Sequence, residues 1–167
     1  MNYILHRVYL VALVVFILIC WLALNFAHAE ECRHKISVRD SGLSNKNNSY
    51  GGHVNQHIYG AKELPVGKDQ LDKTLFTSID EYTGFWNNYI NDDKYTGPGV
   101  QCSSNEAGQR VKVNDVLSKD AIGAFSCMKS NDRGECTEKI RKQFTHVQLY
   151  FGYVGGKWIL ITAYPTN

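Results

Sequence analysis

Two histidines near the start of the chain, and a threonine and a tyrosine near its end, offer the most chemistry. His53 and His57 lie in the run Tyr50-Gly51-Gly52-His53-Val54-Asn55-Gln56-His57-Ile58-Tyr59-Gly60. If that run is helical, a spacing of four puts both rings on one face, one turn apart. Imidazole titrates close to neutrality, so such a pair suits proton transfer or metal binding. Metal binding needs further ligands, and neither a His-Glu-x-x-His pattern nor a carboxylate cluster is present. Acid–base work is therefore preferred, and neither a metal nor a cofactor is expected. The plainer alternative is that each histidine is structural.

Thr162 and Tyr164 belong to the run Ile159-Leu160-Ile161-Thr162-Ala163-Tyr164-Pro165. In a strand, alternate side chains share a face, so the two hydroxyls are neighbours. A rigid strand carrying one aliphatic and one phenolic hydroxyl can position a phosphate or a carbonyl. The alternative is that both simply cap a strand end, since threonine and tyrosine are common strand residues.

The element that must position these hydroxyls is a hairpin over residues 144–167. Thr145, Val147, Leu149, Phe151 and Tyr153 recur with the strand period, and Gly155-Gly156 supplies a two-residue turn. The return strand is expected over 157–164, stopped by Pro165. Strict alternation would place Trp158, Leu160, Thr162 and Tyr164 on one face and Ile159, Ile161 and Ala163 on the other. Upstream, residues 74–77 read as a short strand. Ser78 with Glu81 forms a capping box, and Ile79, Tyr82, Trp86 and Tyr89 continue at helical spacing to about residue 91. These aromatics are read as core rather than as base-stacking surfaces. Residues 92–107 form a Gly-, Pro-, Ser- and Asn-rich connection, and the pattern over 111–116 fits a strand or a short helix equally. Residues 121–128 fit a strand, 130–134 a polar turn and 137–142 a short charged segment.

Compartment is legible from the N-terminus and the cysteines. Arg7 precedes an almost unbroken apolar run over 8–26, and Ala27-His28-Ala29 offers a small-x-small cleavage pattern before Glu30. Residues 1–29 are therefore expected to be a signal peptide and the protein to be secreted or periplasmic. The alternative is an anchor formed by residues 8–26. Of 18 Lys and Arg and 16 Asp and Glu, only Arg7 leaves with the signal, so the mature net charge is +1. Charge alone does not indicate a nucleic-acid partner, though a small enzyme touching few phosphates does not need a strong basic field. Cys32, Cys102, Cys127 and Cys136 remain, an even number that implies two disulfides in an exported chain. Of three connectivities, Cys127–Cys136 across a short polar loop with Cys32–Cys102 is preferred. A zinc site would be the rival use of these residues, but no Cys-x-x-Cys pair exists. Residues 30–48 read as a loose polar arm pinned by Cys32, with a glycosylation-like Asn47-Asn48-Ser49 that matters only in a eukaryotic secretory route. Residues 49–167 form the domain proper. The fold class is α+β: one or more N-terminal helices packed on a small antiparallel sheet ending in the C-terminal hairpin.

The Gly-Gly-His start, the second histidine before Ile58, the Gly67-Lys68-Asp69-Gln70-Leu71 stretch, Phe76-Thr77 ahead of a helix and the closing Thr162-Ala163-Tyr164-Pro165 occur in an informative order. Together they resemble the bacterial ribonuclease A-like toxin domains found at the C-termini of contact-dependent growth inhibition effectors. The resemblance covers about residues 50–165. The bacterial EndoU-like toxin nucleases are the nearest alternative. Either resemblance implies an RNA endonuclease that works without metal, with transfer RNA as the expected substrate and a cognate immunity protein as a further partner. It implies His57 as the base that activates the ribose 2′-hydroxyl, with His53 as the alternative base. Thr162 and Tyr164 would bind the phosphate, and Tyr164 would assist the leaving group. The pattern also expects an arginine before the Phe-Thr pair, whereas this chain has an insertion-like stretch over 59–66 and no arginine there. Lys62, Lys68 or Lys73 would supply the cation as a point charge, without the bidentate fork of arginine. Two further departures, the chain's own signal segment and its disulfides, fit a free-standing exported enzyme. The competing class is a disulfide-stabilised secreted or periplasmic binding or inhibitor module without catalysis.

Overall fold

The computed structural model describes residues 30–91, 93–103 and 106–167. The signal-peptide and anchor expectations concern residues 1–29 and lie outside them. A 3-10 turn at Cys32–His34 leads to two short helices, α1 (Ile36–Ser41) and α2 (Ser44–Asn47), and to further 3-10 turns at Asn48–Tyr50 and Val54–His57. Then follow β1 (Thr74–Phe76), α3 (Ile79–Ile90), β2 (Glu106–Lys112), α4 (Val113–Leu117), β3 (Ile122–Ser130), β4 (Cys136–Phe144), β5 (His146–Val154) and β6 (Lys157–Thr166). The strands form two three-stranded antiparallel sheets, ordered β1-β3-β4 and β2-β5-β6. The class is α+β, with two sheets rather than one. Among the described residues no helix is long and apolar enough to cross a membrane.

Helix α3 starts where its cap requires. Ser78 Oγ accepts from the Glu81 N–H at 3.1 Å, while the Glu81 carboxylate turns back to the Thr77 N–H at 2.8 Å. Asp80 and Glu81 also place negative charge at the positive end of the helix. Tyr82, Phe85, Trp86 and Tyr89 are buried, so the aromatic row is core, as its spacing implied. Burying each large side chain contributes about 1.5 to 3 kcal/mol. Their polar tips are satisfied: the Tyr82 hydroxyl donates to Gly42 O, the Trp86 indole to Arg39 O, and the Tyr89 hydroxyl to the Gln109 side chain.

The C-terminal hairpin is present, turning at Gly155 and Gly156, both with positive φ. Two details differ from strict alternation. Val154 pairs with Lys157 and Phe151 with Leu160, but Tyr150 pairs with Thr162, so Ile161 is an extra residue on β6. This bulge turns Leu160 toward the core with Phe151, while Thr162 and Tyr164 share the opposite face with Tyr150 and Gln148. Leu160 is thus not on the face of Thr162. Nor does Pro165 end the strand, which runs to Thr166. β6 is an edge of its sheet, where a residue lacking an N–H is tolerated.

Residues 30–48 do not form a loose arm. Val38, Ser41 and Asn47 are fully buried, and their segment is tied to β6. Ser41 Oγ accepts from the Leu160 N–H at 2.8 Å, and Asn47 Nδ2 donates to Ser41 O and Leu160 O. The polar composition that suggested looseness is instead used to satisfy buried backbone groups. Because Asn47 is buried with both amide atoms bonded, it is not an accessible glycosylation acceptor. Residues 137–142 are not a short segment but lie within nine-residue β4. The ambiguous run over 111–116 is divided, its first two residues ending β2 and the rest lying in α4.

Both preferred disulfides are formed. Cys32–Cys102 ties the N-terminal segment to the connection before β2, and Cys127–Cys136 joins β3 to β4. Paired cysteines imply an oxidising extracellular or periplasmic environment.

Candidate functional site

The histidine stretch is held at the seam between the two sheets. The His53 N–H donates to Ile161 O on β6 at 2.7 Å, and the Tyr59 N–H donates to Phe76 O on β1 at 3.0 Å. Asn47 Oδ1 accepts from the Val54 N–H at 2.7 Å, so one buried amide links the N-terminal segment, the histidine turn and β6. The Gly-Gly before His53 follows from this crowding. Gly51 has φ +90°, and a Cβ on Gly52 would lie 2.4 Å from the Asn47 side chain. The run is not a regular α-helix: His53 stands at the N-cap of the 3-10 turn and His57 closes it. Both histidines nevertheless line one cleft.

That cleft has a volume of about 440 Å³ and is lined by His53, Gln56, His57, Lys68, Asp72, Lys73, Thr74, Thr162 and Tyr164. Six of the side chains singled out in the sequence for acid–base or phosphate chemistry thus meet around one space. Lys62 does not; it is exposed on the loop and outside this lining. Lys68 and Lys73 are the lining cations, and no arginine is among the cleft residues. A larger hollow of about 610 Å³ lies at the hairpin end beside Trp158, where the cation Lys35 is paired with Glu30 at 3.0 Å. It contains none of these six residues.

His57 is 7% exposed. Its Nδ1 lies 3.0 Å from Thr74 O, and since a carbonyl only accepts, the neutral ring carries its proton on Nδ1. Nε2 is then left with the lone pair. Burial pushes the His57 pKa down to about 4; the Thr74 bond raises it in part, and His53 and Lys73 lower it further. The His53 pKa is also lowered, first by burial and then by Lys68 and Lys73. Both rings are therefore neutral at pH 7 in the free protein. The Tyr164 ring stacks on His57 at 4.9 Å and on Tyr150 at 6.3 Å. Burial and then Tyr150 raise the Tyr164 pKa, which keeps the phenol protonated as a donor.

Thr162 carries an unusual feature. It is 6% exposed, and its Oγ1 is buried with no hydrogen-bond partner among the described residues. A buried hydroxyl in that state costs roughly 1 to 3 kcal/mol, which a group entering the cleft would relieve. Thr74, by contrast, spends its hydroxyl on Pro165 O at 2.7 Å.

Gln56, Asp72, Thr74 and Tyr150 were not singled out in the sequence. Asp72 has φ +57°, a conformation rare outside glycine, at the turn leading into β1. Tyr150 enters through its pairing with Thr162, which depends on the bulge. Among the described residues, no group of three or more His, Cys, Asp and Glu is arranged to hold a metal ion. No protein-family model, curated protein or solved structure matches this chain.

Proposed function

We propose that this chain is an exported endoribonuclease that cleaves RNA by attack of the ribose 2′-hydroxyl on the adjacent phosphate. The reaction leaves a 2′,3′-cyclic phosphate and a free 5′-hydroxyl, and needs no metal. The observation that carries this reading is the cleft that gathers His53, His57, Lys68, Lys73, Tyr164 and the unpartnered hydroxyl of Thr162. A 2′-hydroxyl needs a base, the developing phosphorane needs donors and positive charge, and the 5′-oxygen needs an acid.

The roles follow from the chemistry of each group. His57, with its proton fixed on Nδ1 by Thr74, offers Nε2 to the 2′-hydroxyl. Thr162 and Tyr164 donate to non-bridging phosphate oxygens, and Lys68 and Lys73 supply charge. His53 in its protonated form gives its proton to the leaving 5′-oxygen. Tyr164 is the poorer acid, because its surroundings raise its pKa. The low basicity of His57 reflects burial and nearby positive charge in the absence of substrate. A bound phosphodiester anion opposes both histidine shifts and moves them toward the working range. Roles as a competition toxin, a transfer RNA substrate and an immunity partner belong to the same proposal, through the resemblance of its motifs. The oxidising environment implied by the disulfides fits action outside the producing cytoplasm.

The test is RNA cleavage by oxidised, purified mature protein with and without EDTA. Activity should persist in EDTA, and His57→Ala should lose at least about 100-fold in rate. Should neither transfer RNA nor total RNA be cut, the binding-module reading replaces this one.

A further inference from the structure

The segment over 68–73 brings Lys68 and Lys73, at its two ends, to the cleft. Between them Gln70 is 2% exposed and uses its side-chain amide in two directions. Its Nε2 donates to Ile58 O at 2.8 Å and to Asn55 O at 3.3 Å, in and beside the histidine turn, while its Oε1 accepts from the Cys136 N–H at 3.0 Å. The backbone of the same segment is bonded to the hairpin of β3 and β4. The Gln70 N–H donates to Gly134 O at 2.9 Å, the Asp72 N–H to Cys127 O at 3.1 Å, and the Cys127 N–H to Lys73 O at 2.9 Å. The hairpin turn comes so close that a Cβ on Gly134 would lie 3.0 Å from Asp69 Cα and from Lys68 O. Both cysteines of the second disulfide thus hold the segment directly, Cys127 through its backbone and Cys136 through Gln70.

We infer that Gln70 is a positioning residue of the cleft, clamping the histidine turn and the two lysines to the Cys127–Cys136 hairpin, and that the cleft is competent for catalysis only while that disulfide is closed. The inference rests on the ribonuclease reading above and deepens it by naming what controls the site. β3 and β4 pair irregularly beside the bridge, with register shifts between Cys127 and Ser130. Ladder bonds are disrupted at such bulges, so the disulfide fixes the strands where their pairing is weakest. The catalytic groups tolerate little movement, since a displacement of about 1 Å can cost roughly 100-fold in rate. The other bridge, Cys32–Cys102, joins residues that do not line the cleft. Stability and activity therefore respond to the two bridges in opposite order. Cys32–Cys102 spans 70 residues against 9, so losing it is the costlier for stability, yet losing Cys127–Cys136 is the costlier for the site.

Three variants of the mature protein test this. Gln70→Met keeps the length of the side chain and removes its hydrogen bonds; the others are the double variants Cys127→Ala/Cys136→Ala and Cys32→Ala/Cys102→Ala. The rate on RNA is measured where circular dichroism shows each variant folded, and the His53 pKa is read by NMR. In the parent that pKa is lowered by burial and then by Lys68 and Lys73, so displacing the segment raises it whether or not RNA is cut. Gln70→Met and the Cys127/Cys136 variant should raise it and lose roughly 100-fold in rate. The Cys32/Cys102 variant should melt lower than the Cys127/Cys136 variant and yet keep the parent's rate and His53 pKa. Activity losses that follow the order of the melting temperatures would overturn the inference. So would a folded Gln70→Met or Cys127/Cys136 variant with the parent's rate and His53 pKa. If Gln70→Met does not fold, the Cys127/Cys136 variant decides alone. Should the parent cut no RNA, the ribonuclease reading falls by itself, and the His53 titration still decides whether Gln70 and the bridge hold the cleft.

Discussion

Replacing Thr162 with valine should make the protein more stable and less active at once. Valine keeps the branched shape and exchanges only the hydroxyl for a methyl group. In the free protein that hydroxyl is buried without a partner among the described residues, so removing it recovers roughly 1 to 3 kcal/mol. For a domain of this size, 1 kcal/mol moves Tm by roughly 3 to 5 °C. Calorimetry should therefore show a rise of roughly 3 °C or more. Activity on a short fluorogenic RNA should move the other way, by roughly 100-fold, as for loss of one donor to developing charge. Thr162→Ser is the control: it keeps the donor and loses a methyl group, so it should be less stable than the parent and far more active than Thr162→Val. A valine variant that is less stable than the parent and fully active would refute the reasoning, because the hydroxyl would then be a structural group.

Three further outcomes are expected. The His57 pKa is about 4 in the folded protein and near 6.5 when unfolded, so between those values the unfolded chain binds more protons and stability rises with pH. This residue alone should cost roughly 2 kcal/mol on going from pH 8 to pH 5, and urea melts of His57→Asn should show a correspondingly smaller loss. The pH profile of kcat/KM should be bell-shaped with its maximum below 6.5, since His57 must be neutral and His53, whose pKa is lowered, must be protonated. His53→Ala should flatten its alkaline limb; a plateau extending to pH 8 in the parent would remove His53 as the acid. Opening Cys32–Cys102, which spans 70 residues, should cost about 4 kcal/mol, against about 3 for Cys127–Cys136, which spans 9. Melting of the two Cys-to-Ala pair variants would show a larger drop for the first pair, and the opposite order would contradict the chain-entropy account.

Local rules reached far into this fold because several elements state their own limits. Ser78 and Glu81 mark the start of α3, the aromatic spacing gives its buried side, and Gly155-Gly156 gives the hairpin turn. That Thr162 and Tyr164 share a face was legible as well, since the bulge lies before both. The bulge itself was not. Counting back from the turn pairs Tyr150 with Ile161, whereas the extra residue moves its partner to Thr162, and nothing in Ile159-Leu160-Ile161 signals this locally. The N-terminal segment misled because polarity was read as exposure, when Ser41 and Asn47 are polar in order to bond buried backbone. Which lysines face the cleft was equally undecidable: Lys62 and Lys68 lie in one loop region, and only its path toward β1 brings Lys68 and Lys73 to the histidines.

The chemistry of the product ends tests the central claim most directly. A short RNA whose cut position is known from the parent reaction is synthesised again with a single 2′-deoxy or 2′-O-methyl ribose on the 5′ side of that bond. Product masses are then compared after incubation with the oxidised protein in EDTA. The account predicts a 2′,3′-cyclic phosphate and a 5′-hydroxyl from the unmodified RNA, and no cleavage at the modified position, because the nucleophile has been removed. Cleavage at the modified position, or products carrying a 5′-phosphate, would show that water and not the 2′-hydroxyl attacks, and would contradict it.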